Sequence, residues 1–224
     1  MAGSAAELMA PELVVFDCDG VLVDSEPVAN RILAEALRAL GLPASYADVC
    51  RDFLGLSLPQ CLAIIERRLG RPAPADFLER LQQRTYAAFR RELQPVPGVV
   101  EALERIELPV CVASSGEPEK IRLALGLTGL LPRFEGRIFS ALEVARGKPA
   151  PDLFLHAARS LGAQPAACVV VEDSVPGVLG ARRAGMAALG YAGSADPASL
   201  VAAGARVFHE MRELPELLRA SPDE

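Results

Sequence analysis

LVVFDCDGVLVDSE, residues 13–26, joins an unbroken apolar run to a cluster of acids. Leu13-Val14-Val15-Phe16 is short and rich in β-branched residues, the pattern of a strand buried on both faces of a parallel sheet. Asp17 and Asp19 arrive as that run ends, and Gly20 lets the backbone turn sharply and come close to a ligand. Acids at the carboxyl end of a central parallel strand sit where open α/β sheets bind ligands. An acid followed by glycine is also an ordinary turn, so the reading depends on the rest of the chain.

Working outward, residues 26–94 carry helical spacing and no strand signal. Pro27 suits a first helical position, Ile32, Leu33, Ala36, Leu37 and Leu40 recur on one face, and Gly41 stops the helix. Further helices are expected over Ala47–Phe53, after a capping pair Ser57/Gln60 up to Leu69, and from about Asp76 to Leu93. Past Pro95-Val96-Pro97-Gly98 helices and strands alternate, the signature of a parallel α/β sheet. Strands are expected at Val110–Ala113, near Arg137–Ser140, and at Cys168–Val171, Ala187–Leu189 and Arg206–Phe208. The expected fold is therefore α/β: a Rossmann-like parallel sheet core, residues 1–25 and 95–224, with an inserted small helical cap domain, residues 26–94.

Composition narrows the function. With 51% hydrophobic and 23% charged residues, a net charge of -6 and a pI near 5.1, the chain reads as globular and lacks the basic face of a nucleic-acid or anionic-membrane binder. Its first ten residues have neither a basic start nor a long apolar core, and no run reaches membrane-span length, so a cytoplasmic location is expected. Cys18, Cys50, Cys61, Cys111 and Cys168 show no zinc spacing and read as reduced, mostly buried thiols. Lys120 and Lys148 are the only lysines; every other cation is Arg.

Four polar clusters line up with the strand ends: Asp17/Asp19, Ser114, Lys148 and Glu172/Asp173. In a parallel sheet those ends open on one edge, so distant residues converge in one crevice. Carboxylates at Asp17, Asp173 and Glu172, with the main-chain carbonyl of Asp19, suit a hard cation that keeps several waters, and Mg²⁺ is the natural occupant. Ser114 can donate to a phosphoryl oxygen, and Lys148 places a compact positive charge beside phosphate and acid alike. Taken singly, each residue has a bland alternative: a turn or cap for Ser114-Ser115, a solvated lysine, a helix cap for Glu172-Asp173-Ser174.

As a set, DCDGVLVDSE, VASSG, GKPAPD and VVVEDSVPG resemble the motifs of the haloacid dehalogenase superfamily, within its β-phosphoglucomutase-like and sugar-phosphatase group. The resemblance covers nearly the whole chain, and the helical insertion matches the family's mobile cap. It implies Asp17 as nucleophile, forming an aspartyl-phosphate, and Asp19 as the group that protonates the leaving oxygen and then activates water. It further implies Ser114 and Lys148 holding the phosphoryl group and nucleophile, with Asp17, Asp19, Asp173 and Glu172 forming the Mg²⁺ site. Gly55 and Ser57 in the cap, and Ser115 in the core, are candidates to face the substrate; Arg51 and Arg84 could meet an anion or simply be solvated.

Departures from the family's branches are informative. Asp19 argues against a dehalogenase, and a cap without lysine argues against a Schiff-base phosphonate hydrolase. Ala29 and Asn30 stand in the stretch where mutases carry a cap His, which leaves a sugar-phosphate mutase as the runner-up. The implied enzyme is a phosphoric monoester hydrolase for a small phosphorylated sugar or sugar acid such as 6-phosphogluconate. It is expected to be a monomer or weak homo-oligomer without nucleic-acid or membrane partners. A non-catalytic phospho-ligand-binding protein is the alternative from another class, and loss of Asp17, Asp19 or Lys148 would have favoured it.

Overall fold

The computed structural model describes residues 11–53 and 58–219. Two compact units emerge, one made of the chain up to Val23 and again from Pro95, the other of Asp24–Gln94. In chain order the regular elements are β1 (Leu13–Phe16), α1 (Glu26–Ala39), α2 (Tyr46–Phe53), α3 (Leu58–Leu69), α4 (Phe77–Glu92) and α5 (Val99–Arg105). They continue with β2 (Val110–Ser114), α6 (Pro118–Leu127), α7 (Leu131–Phe134), β3 (Ile138–Ser140), α8 (Asp152–Ser160), β4 (Cys168–Glu172) and α9 (Val175–Arg183). The chain closes with β5 (Ala187–Tyr191), α10 (Pro197–Ala202), β6 (Arg206–Phe208) and α11 (Leu214–Arg219).

All strands pair in parallel, in the order β3-β2-β1-β4-β5-β6. The apolar run of β1 takes the centre because both its faces are covered: every residue of the strand is buried. Leu13 and Val15 join Cys111, Ala113 and Val170 in one face's core, beneath Leu153, Phe154, Val178 and Met186. Phe16 meets Phe134 of α7 edge to face, with ring centroids 6.0 Å apart. Helices thus cover the sheet on both sides, as strands with apolar residues at every position require.

Several boundaries differ from the sequence expectations, each for a local reason. β2 and β4 run one residue further than their apolar stretches, because Ser114 pairs with Ser140 and Glu172 with Gly190. Helices α7 and α10 are too short for periodicity to reveal. The second of them is capped by Asp196, whose side chain accepts from the Ser199 N–H at 3.1 Å. Helix α2 begins at Tyr46 rather than Ala47 behind a reciprocal capping box: Asp48 N–H donates to Ser45 Oγ (3.1 Å) and Ser45 N–H to Asp48 Oδ2 (2.9 Å).

In the helical unit, α1 packs on α4 and α2. Val28, Ile32 and Leu37 of α1, and Phe77, Leu81 and Phe89 of α4, are buried at helical spacing. Exposed ion pairs lace the outer faces, Arg31 with Glu35 and Glu92, and Arg84 with Glu35. Where the chain leaves and re-enters the sheet unit, Val23 and Pro95 form an antiparallel bridge. None of the five cysteines is disulfide-bonded, and burial pushes the Cys111 thiol up to about 12 and the Cys168 thiol to about 11. No helix among the described residues is long and apolar enough to cross a membrane.

Candidate active site

The chain builds β1, β2 and β3 outward in one direction, then returns to lay β4, β5 and β6 on the other side of β1. The strand order therefore reverses between β1 and β4, which is where such sheets open a crevice beyond their carboxyl ends. Phe16 lies level with Val171, so the next residues, Asp17 and Glu172, flank that crevice side by side. The Asp17 N–H donates to the Val171 carbonyl at 2.9 Å, which fixes where its carboxylate starts.

Lys148 ties the two carboxylates together. Its Nζ donates to Asp17 Oδ1 at 2.5 Å and to Glu172 Oε1 at 2.6 Å, and it lies 5.3 Å from the centre of the Phe154 ring. Side-chain exposures of 5%, 11% and 0% for Lys148, Asp17 and Glu172 mean that these charges meet each other rather than water. Glu172 is tolerated there because its second oxygen is also satisfied. Oε2 accepts from the Asp173 N–H (3.1 Å), the Ser174 N–H (2.9 Å) and the Ser174 hydroxyl (2.8 Å). Ser174 in turn caps α9, accepting from the Gly177 N–H at 3.1 Å. A Cβ at Gly177 would fall 1.8 Å from Glu172 Oε1, so the glycine is what makes room for the buried acid.

The charge balance is uneven. Burial pushes the Asp17 carboxyl up to about 7; Lys148 pulls it down, while Glu172 and Asp19 add repulsion. Burial by itself would lower the Lys148 ammonium, but the two carboxylates outweigh it and hold it above its ordinary value. Asp17, Glu172 and Asp173 each place a carboxylate oxygen within 4.8 Å of the others. Gly20, at φ +77°, adopts the left-handed backbone that glycine tolerates, and a Cβ there would lie 1.9 Å from Asp173 Oδ2. The turn after β1 thus needs a glycine twice over.

Asp19 is ion-paired with Lys120 of α6. Ser114 is 1% exposed and its Oγ accepts from the Gly116 N–H at 3.1 Å, whereas Ser115 is exposed. Gly55 and Ser57 lie outside the described residues. Arg51 is engaged by Asp48 (2.8 Å) and Asp52 (2.9 Å), and Arg84 by Glu35 (2.7 Å), so both arginines are surface ion-pair partners.

Three participants escaped the sequence reading. Lys120 carried one signal, being one of only two lysines. Ser140 is fully buried and donates to the Gly116 carbonyl at 2.7 Å, pinning the loop after Ser114; no sequence pattern marks it. Ser174, read as part of a cap, also satisfies Glu172. A cavity of about 600 Å³ lies elsewhere, lined by Pro11 and Leu108, just before β1 and β2, and by Cys168, Ala187 and Arg206, the first residues of β4, β5 and β6. It is at the opposite edge of the sheet from Asp17, so volume alone does not locate the chemistry.

Residues 11–185 match the family model described as haloacid dehalogenase-like hydrolase. A 6-phosphogluconate phosphatase of Escherichia coli (strain K12) is 30% identical over 210 residues, 93% of this chain and 95% of its own. Hexitol phosphatase B of the same organism is 30% identical over 177 residues, 77% of this chain and 79% of its own. A conserved haloacid dehalogenase-like protein of Agrobacterium tumefaciens str. C58 has a solved structure 35% identical to this chain, with a TM-score of 0.84 and coverage of 93% and 98%. With the family model spanning most of the chain and the acid-lysine crevice at the sheet's switch point, the chain belongs to the haloacid dehalogenase-like hydrolases and is a phosphoric monoester hydrolase.

Proposed function

We propose that the protein is a Mg²⁺-dependent phosphatase that hydrolyses a small phosphorylated sugar or sugar acid, such as 6-phosphogluconate, through a phosphorylated Asp17. The observation that carries this reading is the buried Asp17–Lys148–Glu172 cluster beside Asp173. Lys148 engages Asp17 Oδ1, which leaves Oδ2 to attack phosphorus. As the new Asp17–phosphorus bond forms, the ester oxygen departs and takes a proton from Asp19. Asp19 then accepts a proton from water as that water attacks phosphorus; the Asp17–phosphorus bond breaks and inorganic phosphate leaves. Lys148 and the Ser114 hydroxyl offset and orient the phosphoryl oxygens.

The donor set fits Mg²⁺, since only hard oxygen ligands converge. Asp17 and Asp173, with the main-chain carbonyl of Asp19, would hold the cation; Glu172, with both oxygens already engaged, stands behind them. When bound, Mg²⁺ supplies positive charge opposite the transferring phosphoryl group. The substrate class is supported by the two relatives' names, for 6-phosphogluconate and hexitols.

Phosphate release from sugar phosphates, sugar-acid phosphates and nucleotides, with Mg²⁺ and with a chelator, tests the reading. Sugar and sugar-acid phosphates should turn over best, and chelation should stop release. Preferred turnover of nucleotides, or full activity in the chelator, would contradict it. Gly20→Ala probes the metal arm separately. Its Cβ displaces Asp173 and the backbone loses its favoured residue, so the Mg²⁺ concentration for half-maximal activity should rise at least ~10-fold, the equivalent of losing about one charge-assisted contact. An unchanged Mg²⁺ requirement would show that Asp173 does not hold the cation.

A further inference from the structure

We propose that Lys120 is a positioning residue for Asp19: its ammonium holds the carboxylate that exchanges protons with the leaving oxygen and with water. The inference rests on the reading of Asp19 given above and adds to it a residue outside the four motifs.

The two lysines divide the two acids of the Asp17-Cys18-Asp19 turn between them, Lys148 on Asp17 and Lys120 on Asp19. Asp19 and Lys120 stand 101 residues apart in sequence, and their side chains are 28% and 22% exposed, so each is largely covered where they meet. Lys120 is the third residue of α6, and the loop before that helix grips its stem. A Cβ at Gly116 would lie 3.3 Å from Lys120 Cδ and 3.5 Å from Ser114 Oγ, so the glycine lets the stem pack against the Ser114 turn. The buried Ser140 hydroxyl donates to the Gly116 carbonyl at 2.7 Å and holds that turn in place. The lysine is thus built into the phosphoryl-binding loop rather than waving from the surface.

Residue choice supports the assignment. Every cation of this chain other than Lys120 and Lys148 is Arg. A guanidinium grips both oxygens of a carboxylate as a rigid fork, whereas an ammonium is a point donor that engages one. Asp19 must give up and regain a proton on an oxygen facing the substrate, and Lys120 engages Oδ2. A lysine holds such an acid in place without enclosing it.

Leaving-group dependence tests this. p-Nitrophenolate departs readily without a proton, whereas phenolate, with a parent pKa of about 10, benefits from general acid help. In Lys120→Gln, kcat/KM for phenyl phosphate should fall by about 10- to 100-fold, at or below the low end of the about 10²- to 10⁴-fold that general acid catalysis contributes because the acid itself remains, against less than about 3-fold for p-nitrophenyl phosphate. The ratio of the two substrates is independent of how much enzyme is folded. Lys120→Arg, which keeps the charge, is the second variant and should shift the ratio less. Asp19→Asn should shift it as well, and adding Lys120→Gln to Asp19→Asn should change nothing more, since the lysine acts through the acid. Equal losses on both substrates in Lys120→Gln, or losses that add to those of Asp19→Asn, would overturn the role of Lys120 while leaving that of Asp19. Equal losses on both substrates in Asp19→Asn would overturn the reading of Asp19 itself, and the role of Lys120 with it.

Discussion

Asp17→Asn should lower phosphate release at least about 10³-fold, as loss of a covalent nucleophile does. The amide keeps the shape of the side chain but offers no anionic oxygen to attack phosphorus. The fold should survive, because Lys148 retains Glu172 as a partner at 2.6 Å. The pH dependence of stability has a definite sign. Burial raises the Asp17 carboxyl to about 7 in the metal-free protein, so this group's contribution to stability is present below the unfolded value and is lost as pH rises through 7. Between pH 5 and pH 8 the metal-free wild type should therefore lose thermal stability relative to Asp17→Asn. A wild type that gains on the variant across that range would show that Lys148, not burial, governs Asp17.

Lys148→Met should be the most damaging of these changes to stability, and it should lower activity as well. The ammonium is 5% exposed and serves two carboxylates, one of them completely buried. Removing it leaves Asp17 Oδ1 and Glu172 Oε1 without their cation, and breaking a buried pair from one side costs about 3–5 kcal/mol. The methionine can lie against Phe154 as the lysine did, so the loss is electrostatic rather than a cavity. Turnover should fall at least about 10²-fold, since a donor aimed at the phosphoryl oxygens is gone. Denaturant unfolding and phosphate release on the same preparation check both. A variant within about 1 kcal/mol of wild type would mean that the buried carboxylates are satisfied without Lys148.

The crevice was legible in the sequence because the runs Leu13–Phe16, Val110–Ala113 and Cys168–Val171 are apolar at every position, and such runs announce both the depth of a strand and its end. Asp17, Ser114, Glu172 and Asp173 could be placed on one sheet edge from that, and Lys148 from the loop after the strand expected near Arg137–Ser140. The details that escaped depend on pairing across the sheet or on turns. Glu172 lies inside β4 because Gly190 pairs with it, and both its oxygens are taken by groups that local sequence cannot rank. Lys120 meets Asp19 only because α6 begins where it does, on a loop fastened by Ser140. In the helical unit, Arg51 and Arg84 illustrate the converse. Both looked available for an anion, and both are spent on neighbouring acids at 65% and 44% side-chain exposure, where ion pairs contribute little.

Asp17 is proposed to carry the phosphoryl group. Acid quench during turnover of p-nitrophenyl phosphate with Mg²⁺, followed by borohydride reduction and peptide mass spectrometry, tests it directly, because an acyl phosphate is reduced to an alcohol where a free carboxylate is not. The expected result is homoserine at position 17 in the wild type, absent without substrate. Homoserine at another acid, or an unmodified Asp17 at every quench time while product accumulates, would contradict the account.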